Sequence, residues 1–198
     1  MDAFRIVMRI LTALLSLYSL LVLFRILLTW FRGVDLGRAE EYLARLTDPY
    51  INWFRRFSFL KIGQFDFSVI GALIALSILT SITSQLAITA SITVGIILAI
   101  IVARVASAIG FFLTIFLVIA LIRLGGELFG ANTANRFWIV LDQIIEPLVH
   151  SLGYKLARGR IMNYQNALII FAGVLLLILV AGRLLLPVIT AALVGLPF

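Results

Sequence analysis

Apolar residues dominate four long stretches of the chain, and polar residues gather in the segments between them. The stretches cover about residues 3–31, 67–88, 101–129 and 165–186. An α-helix rises about 1.5 Å per residue, so about 20 apolar residues cross a hydrocarbon core of about 30 Å. Each stretch is long enough, and the pattern predicts four transmembrane helices.

The second and third spans must be separated by a turn, because no charged residue occurs from 67 to 103. Polar residues between 81 and 93 mark the predicted place. Two short apolar segments, 93–98 and 188–193, are too brief to cross a bilayer. We expect them to be separate interfacial or re-entrant pieces. The fourth span is expected to stop at Pro187, because proline disrupts a helix interior.

A segment with helical periodicity lies between the two spans of each pair. Its apolar residues are spaced by three and four, over residues 36–57 and again over 138–156, which places them on one helical face. The pattern predicts two short amphipathic helices, joined at a proline, in each segment. They would lie along the interface, pack on the spans as a cap, or do both. Each proline follows an acidic residue, in the pairs Asp48-Pro49 and Glu146-Pro147.

The sequence matches itself without a gap when it is shifted by 98 residues. Arg25 then falls on Arg123, and the two acidic–proline pairs coincide. Apolar matches between membrane helices arise easily, whereas arginine and proline matches in one register do not. We interpret the chain as a first repeat, residues 1–98, and a second, residues 99–198, related by an axis along the membrane normal. The predicted fold class is an all-α membrane protein of two tandem hairpins with cytoplasmic interfacial amphipathic helices.

The composition excludes several classes of protein. Hydrophobic residues make up 63% of the chain and charged residues 13%, against about 45–50% and about 25% in soluble domains. A cytosolic enzyme, a secreted domain and a disordered protein are therefore excluded. The absence of cysteine excludes disulfides and thiol chemistry. His150 is the single histidine, so one copy cannot supply paired histidine ligands.

Basic residues set the expected orientation. The net charge of +7 indicates contact with anionic lipid headgroups, not with nucleic acid. Segments 32–66 and 130–162 carry ten lysines and arginines, whereas the opposite side carries four. Because basic loops stay in the cytoplasm, we expect both long loops there and both termini outside.

Arg25 and Arg123 lie inside predicted spans, about six residues from their cytoplasmic ends. An arginine at this depth can extend to the headgroups or pair with a carboxylate. We hypothesise an Arg25–Asp66 pair in the first repeat and an Arg123–Glu127 pair in the second. Such pairs would tie each hairpin together.

Hydroxyl side chains form stripes on the first two spans. Stripes of this kind line a wet path for ions or solutes, or more often bond across helix interfaces and back to the preceding turn. We favour the packing interpretation, since the fourth span has no comparable stripe. The candidate path residues are Ser16, Ser77, Ser81 and Ser84.

No catalytic signature is present. The sequence has no Walker-type loop, HExxH, nucleophile elbow or dinucleotide fingerprint, and we predict no catalytic residue, cofactor or metal. The candidate surface is the cytoplasmic face of the loops, which would bind anionic lipid and an unidentified protein partner. Its residues are Trp53, Arg55, Arg56, Lys61, Arg158 and Arg160. A small-residue face over residues 99–110 predicts close helix contact, within the chain or in a homo-oligomer.

A set of motifs spans most of the chain: Arg25, Trp30-Phe31, Leu46-Thr47-Asp48-Pro49, Arg55-Arg56, Gly63 and Asp66-Phe67-Ser68, with Arg123 and Glu146-Pro147 repeated in the second half. With these motifs the chain resembles the YggT/YlmG family of small bacterial and plastid membrane proteins. The resemblance implies a non-enzymatic protein of the bacterial inner membrane. Relatives are associated with osmotic stress tolerance and ion uptake, with cell division, and with assembly of membrane complexes.

Two functions therefore remain as hypotheses. The first is a scaffold or assembly factor that works through its cytoplasmic face, where the repeated charged and aromatic positions concentrate. The alternative is a subunit of an ion or small-solute channel or transporter, which the hydroxyl stripes and the osmotic associations favour.

Overall fold

The computed structural model describes residues 2–30, 38–57, 61–62, 65–66, 68–130, 135–156 and 163–196. Side chains are described for these residues except 2, 29–30, 61–62, 65–66, 136, 140, 144 and 150–156. Within these ranges the chain forms six helices and one hairpin. The hairpin has two antiparallel strands of two residues each, and Lys61 pairs with Asp66. The elements are α1 (Asp2–Trp30), α2 (Arg38–Phe54), β1 (Lys61–Ile62), β2 (Phe65–Asp66), α3 (Ser68–Thr89), α4 (Val94–Leu128), α5 (Arg136–Leu156) and α6 (Tyr164–Val194).

Among the described residues, four helices are long and apolar enough to cross a membrane. They are α1, α3, α4 and α6, with lengths from 22 to 35 residues. The helices correspond to the four predicted spans, so the prediction of an all-α membrane protein is confirmed. At about 1.5 Å per residue, α4 is longer than a hydrocarbon core is thick.

The turn between α3 and α4 occupies residues 90–93. Ala90 has a positive φ of 55°, a conformation that usually ends a helix. Thr93 then caps α4, because its Oγ1 accepts a hydrogen bond from the Ile96 amide at 3.3 Å. The turn lies at the end of the predicted region, and the polar residues 81–85 belong to α3.

Two predictions about segment ends are wrong. Residues 94–98 are the first turns of α4, and α6 continues through Pro187 to Val194. Neither short apolar segment is therefore a separate piece. Breaking a helix in hydrocarbon exposes backbone groups that water cannot satisfy, so continuing the helix is favoured even at the cost of the bond that a proline lacks.

The prolines of the amphipathic segments also lie inside helices. Pro49 is within α2 and Pro147 is within α5, so the prediction of two short helices joined at each proline is wrong. Thr47 and Ile51 flank Pro49 and are both buried. One buried face thus runs across the proline, and its packing compensates for the lost hydrogen bond.

The chain divides into two compact units. The first comprises Met1–Val105 with Thr190–Phe198, and the second comprises Ala106–Ile189. The core of the first unit takes one buried residue from each of three helices, Val22, Ile51 and Leu76. An amphipathic helix is therefore packed against two candidate spans.

The core of the second unit is built in the same way. Its largest buried side chains are Ile145, Leu168 and Phe171, from α5 and α6, and Ala120 joins them from α4. Several buried positions are 98 residues apart, as a duplication requires. The duplication itself, with its boundary at residues 98 and 99, stays a prediction. The equivalent buried pairs are Val22 and Ala120, Thr47 and Ile145, and Ile51 and Val149.

Candidate functional site

Arg25 ties α1 to α2 in the first unit. Its Nε and Nη2 atoms donate to Asp48 Oδ1 and Oδ2 at 2.9 and 3.2 Å, which makes a bidentate pair. Nη1 donates to Glu40 Oε1 at 3.3 Å. Only 18% of the Arg25 side chain is exposed. One guanidinium thus fixes two points of the amphipathic helix.

The described partners of Arg25, Asp48 and Glu40, were not in the hypothesis. Asp66 lies in β2, directly before α3, but its side chain is outside the described ones, so an Arg25–Asp66 pair stays a prediction. The predicted helix junction at Pro49 would place Asp48 at the start of a helix. Because α2 is continuous there, the carboxylate is available to Arg25.

Arg123 has the corresponding place in the second unit. Its Nη2 is 2.8 Å from Glu127 Oε1, one turn further along α4, which is the hypothesised pair. Its Nε donates to Asp142 Oδ1 of α5 at 2.7 Å. The Arg123 side chain is 6% exposed, and its Nη1 has no partner among the described side chains. The tie to α5 is therefore deeply buried.

Aromatic side chains enclose this cluster. The guanidinium carbon of Arg123 is 5.7 Å from the ring centre of Trp138 and 5.2 Å from that of Tyr164. The Tyr164 hydroxyl donates to Asp142 at 2.8 Å. Trp138 packs directly on Gly126, where an added Cβ would overlap the indole ring. These contacts combine a buried ion pair with cation–π attraction.

The two clusters differ by one helical turn. Arg25 and Arg123 are equivalent under the shift of 98, but Asp142 corresponds to position 44 (142 − 98), four residues before Asp48. Glu40 corresponds to Trp138, and both contact the arginine. The arginine is thus kept while its acid moves along the amphipathic helix. Sequence matching missed Asp142, because the residue aligned with Asp48 is Glu146.

The amphipathic helix α2 presents two apolar sides. One side, with Thr47 and Ile51, is buried against the spans. On the other side, Tyr42, Leu46 and Trp53 are 64%, 60% and 52% exposed. The side that packs on the spans matches the cap interpretation, and the exposed side is the one available to the interface.

Tyrosine hydroxyls bind α2 to the neighbouring helices. Tyr18 of α1 donates to the Leu46 carbonyl at 3.0 Å, and Tyr50 of α2 donates to the Ala72 carbonyl of α3 at 2.8 Å. The two tyrosine rings pack edge to face, with 5.6 Å between the ring centres. Burial, with the neighbouring Tyr18, raises the pKa of Tyr50 from 10.0 to about 12.

The hydroxyl groups of the stripes make hydrogen bonds within their own helix or to the neighbouring helix. Ser16 donates to the Thr12 carbonyl and Ser81 to the Ser77 carbonyl, while Ser77 donates to Ile74. Thr12 of α1 also donates to the Thr83 hydroxyl of α3 at 2.9 Å. Ser84 is half-buried on α3. These bonds favour the packing interpretation of the stripes.

The remaining candidates are placed only in part. Arg55 and Arg56 are exposed directly after α2. Lys61 belongs to β1, with its side chain outside the described set. Arg158 and Arg160 also lie outside the described residues. Within the described residues, no group of three or more histidine, aspartate or glutamate side chains is arranged to hold a metal ion.

The first unit matches a known family. A family model described as CCB3/YggT covers residues 4–87, a segment that holds α1, α2, the hairpin and most of α3. No curated protein and no solved structure matches the chain. The protein is therefore a multi-pass membrane protein in which residues 4–87 are similar to the CCB3/YggT family.

Proposed function

We propose that this protein is a non-enzymatic scaffold or assembly factor that works through the exposed side of α2. The observation that carries the proposal is the division of α2 into an anchored side and a free apolar side. Arg25 and the buried residues hold the helix on the spans, while Tyr42, Leu46 and Trp53 stay exposed. Exposed aromatic and aliphatic side chains on a rigid support are typical of binding surfaces.

The charges beside this surface support a cytoplasmic position. Arg55 and Arg56 are exposed at the end of α2, next to Trp53. By the positive-inside rule, such a segment is expected on the cytoplasmic side of a bacterial inner membrane, with both termini outside. There the arginines would attract anionic headgroups. A protein partner would then meet α2 at the membrane surface.

Family associations suggest the processes that such a scaffold serves. Relatives are linked to osmotic stress tolerance, cell division and assembly of membrane complexes. A protein that holds others in place at the membrane is compatible with these processes, whereas the association with ion uptake favours the transport alternative.

The test is photo-cross-linking in native membranes from a benzoylphenylalanine at position 53, on the exposed side of α2. We expect one protein to be captured repeatedly, and captured less when Arg55 and Arg56 are replaced by glutamine. The matched control is position 14 on α1, because Leu14 is similarly exposed, at 57%, and should contact lipid alone. Equal capture from both positions would contradict the proposal.

The alternative function, transport, is tested with the purified protein in liposomes. If purified protein conducts potassium in liposomes, and Ser16→Trp and Ser81→Trp abolish the flux, the channel hypothesis replaces the scaffold. We expect no flux, since both hydroxyls bond to carbonyls of their own helices.

A further inference from the structure

An open groove of about 510 Å³ lies between the C-terminal half of α1 and the first half of α2. This volume is within the range of roughly 300–1,000 Å³ that is typical of small-molecule sites. Glu40 is the one charged side chain that lines it among the described residues. The apolar lining residues are Leu21, Phe24, Leu28, Ala39, Tyr42, Leu43 and Leu46.

Apolar residues surround the groove, as is expected of a site for a lipid acyl chain. Its α1 wall belongs to a candidate span, and the exposed neighbours Leu17 and Leu20 are apolar. Leu21 and Leu28 are seven residues apart, so the wall extends for about 10 Å along the helix axis. An acyl chain lying there would bury apolar surface of both helices.

The groove also carries charge near one end. Glu40 accepts a hydrogen bond from Arg25, but 38% of its side chain stays exposed. Arg25 is shared by two carboxylates, Glu40 and Asp48, which leaves an excess negative charge. Arg38 is exposed at the start of α2, one turn before Tyr42. The first turn of α2 thus supplies a carboxylate that lines the groove, at Glu40, and an exposed guanidinium outside the lining, at Arg38.

We propose that this groove binds one molecule of phosphatidylethanolamine. An acyl chain lies between α1 and α2, the ammonium group binds Glu40, and the phosphate binds Arg38. Phosphatidylglycerol has the phosphate but no ammonium group, so it loses the contact with Glu40. The site therefore selects a zwitterionic aminophospholipid, in contrast to the anionic lipids expected at Arg55 and Arg56.

Native mass spectrometry of the full chain tests the headgroup choice. The protein is purified in detergent and equilibrated with equal amounts of phosphatidylethanolamine and phosphatidylglycerol. We expect one retained phosphatidylethanolamine per chain. Glu40→Gln should lower the preference by a factor of roughly two to five, as for an exposed charge pair. Glu41→Gln is the matched control, since Glu41 pairs with Arg45 and does not line the groove.

A second variant tests the groove without a change of charge. Ala39→Phe places a ring in the groove and should abolish retention of either lipid, with the melting temperature within a few degrees of the wild type. Equal retention of the two lipids, equal effects of Glu40→Gln and Glu41→Gln, or full retention in Ala39→Phe would each overturn the proposal. A failed cross-link at position 53 would leave it intact, because Trp53 does not line the groove, so the two proposals fail separately.

Discussion

Arg123 and Asp142 form a 2.7 Å ion pair in which only 6% of the arginine side chain is exposed. Arg25, 98 residues earlier, pairs with Asp48 at 2.9 Å, with 18% of its side chain exposed. In each unit a candidate span is therefore tied to the amphipathic helix that follows it. The difference in burial predicts that the second tie contributes more to stability than the first.

A double-mutant cycle on Arg123 and Asp142 measures that contribution. Asp142→Ala leaves a buried guanidinium with one carboxylate fewer, and we expect a loss of about 3 kcal/mol in the free energy of unfolding. Arg123→Met should cost a similar amount, because it leaves Asp142 and Glu127 without the cation that both contact. The double variant should lose less than the sum of the two, in reversible denaturant titrations of the detergent-solubilised protein.

The exposed pair of Glu41 and Arg45 is the internal control for this cycle. Its atoms are as close, at 2.7 Å, but the side chains are 62% and 71% exposed. Solvent screening limits such pairs to below about 1 kcal/mol. Equal coupling energies for the two pairs would show that burial does not set the strength of the tie at Arg123.

The position of the acid on α2 can be moved by one turn. Asp142 of the second unit corresponds to position 44, so an acid there should reach Arg25 as Asp142 reaches Arg123. We expect Ala44→Asp to restore most of the thermal stability that Asp48→Ala removes. Asn52→Asp in the same background places the acid one turn in the other direction and should restore none. Equal recovery by both would mean that a general charge effect, not pairing with Arg25, is measured.

The four spans were predictable because an apolar run of this length has few alternatives. The prolines were not, since local pattern cannot tell how much packing a proline-containing helix gains. The local pattern predicts a junction of two helices at Pro49, whereas Thr47 and Ile51 form one buried face across it. Tertiary packing in this case overrides a local signal.

The ion-pair partners show the same limit at the site. Arg123 and Glu127 are one turn apart on a single helix, so spacing alone predicts their contact. Asp48 and Asp142 come from a second helix, and their pairing depends on how that helix rotates against the span. Sequence spacing within one element carries no information about that rotation.

The raised pKa of Tyr50 predicts that the stability of the folded chain depends on pH in the alkaline range. Tyrosine in an unfolded chain loses its proton near pH 10, whereas folded Tyr50 keeps it to about pH 12. The folded chain then binds more protons, so its stability is complete below pH 10 and falls as the pH rises towards 12. Tyr50→Phe should remove the tyrosinate step near pH 12 from an ultraviolet titration and flatten this fall. Tyr42→Phe, at an exposed position, should retain both.

Alanine substitutions at Gly126 and at Gly125 are expected to have opposite effects on the free energy of unfolding. An alanine at position 126 places its Cβ within the Trp138 ring, so α5 must shift and the cation–π contact with Arg123 weakens. We expect Gly126→Ala to cost about 1–3 kcal/mol, as overpacking does. Position 125 has open space around it, and Gly125→Ala should stabilise the helix by about 0.5–1 kcal/mol. Stabilisation by both variants, in the same denaturant titrations, would show that Trp138 does not pack on Gly126.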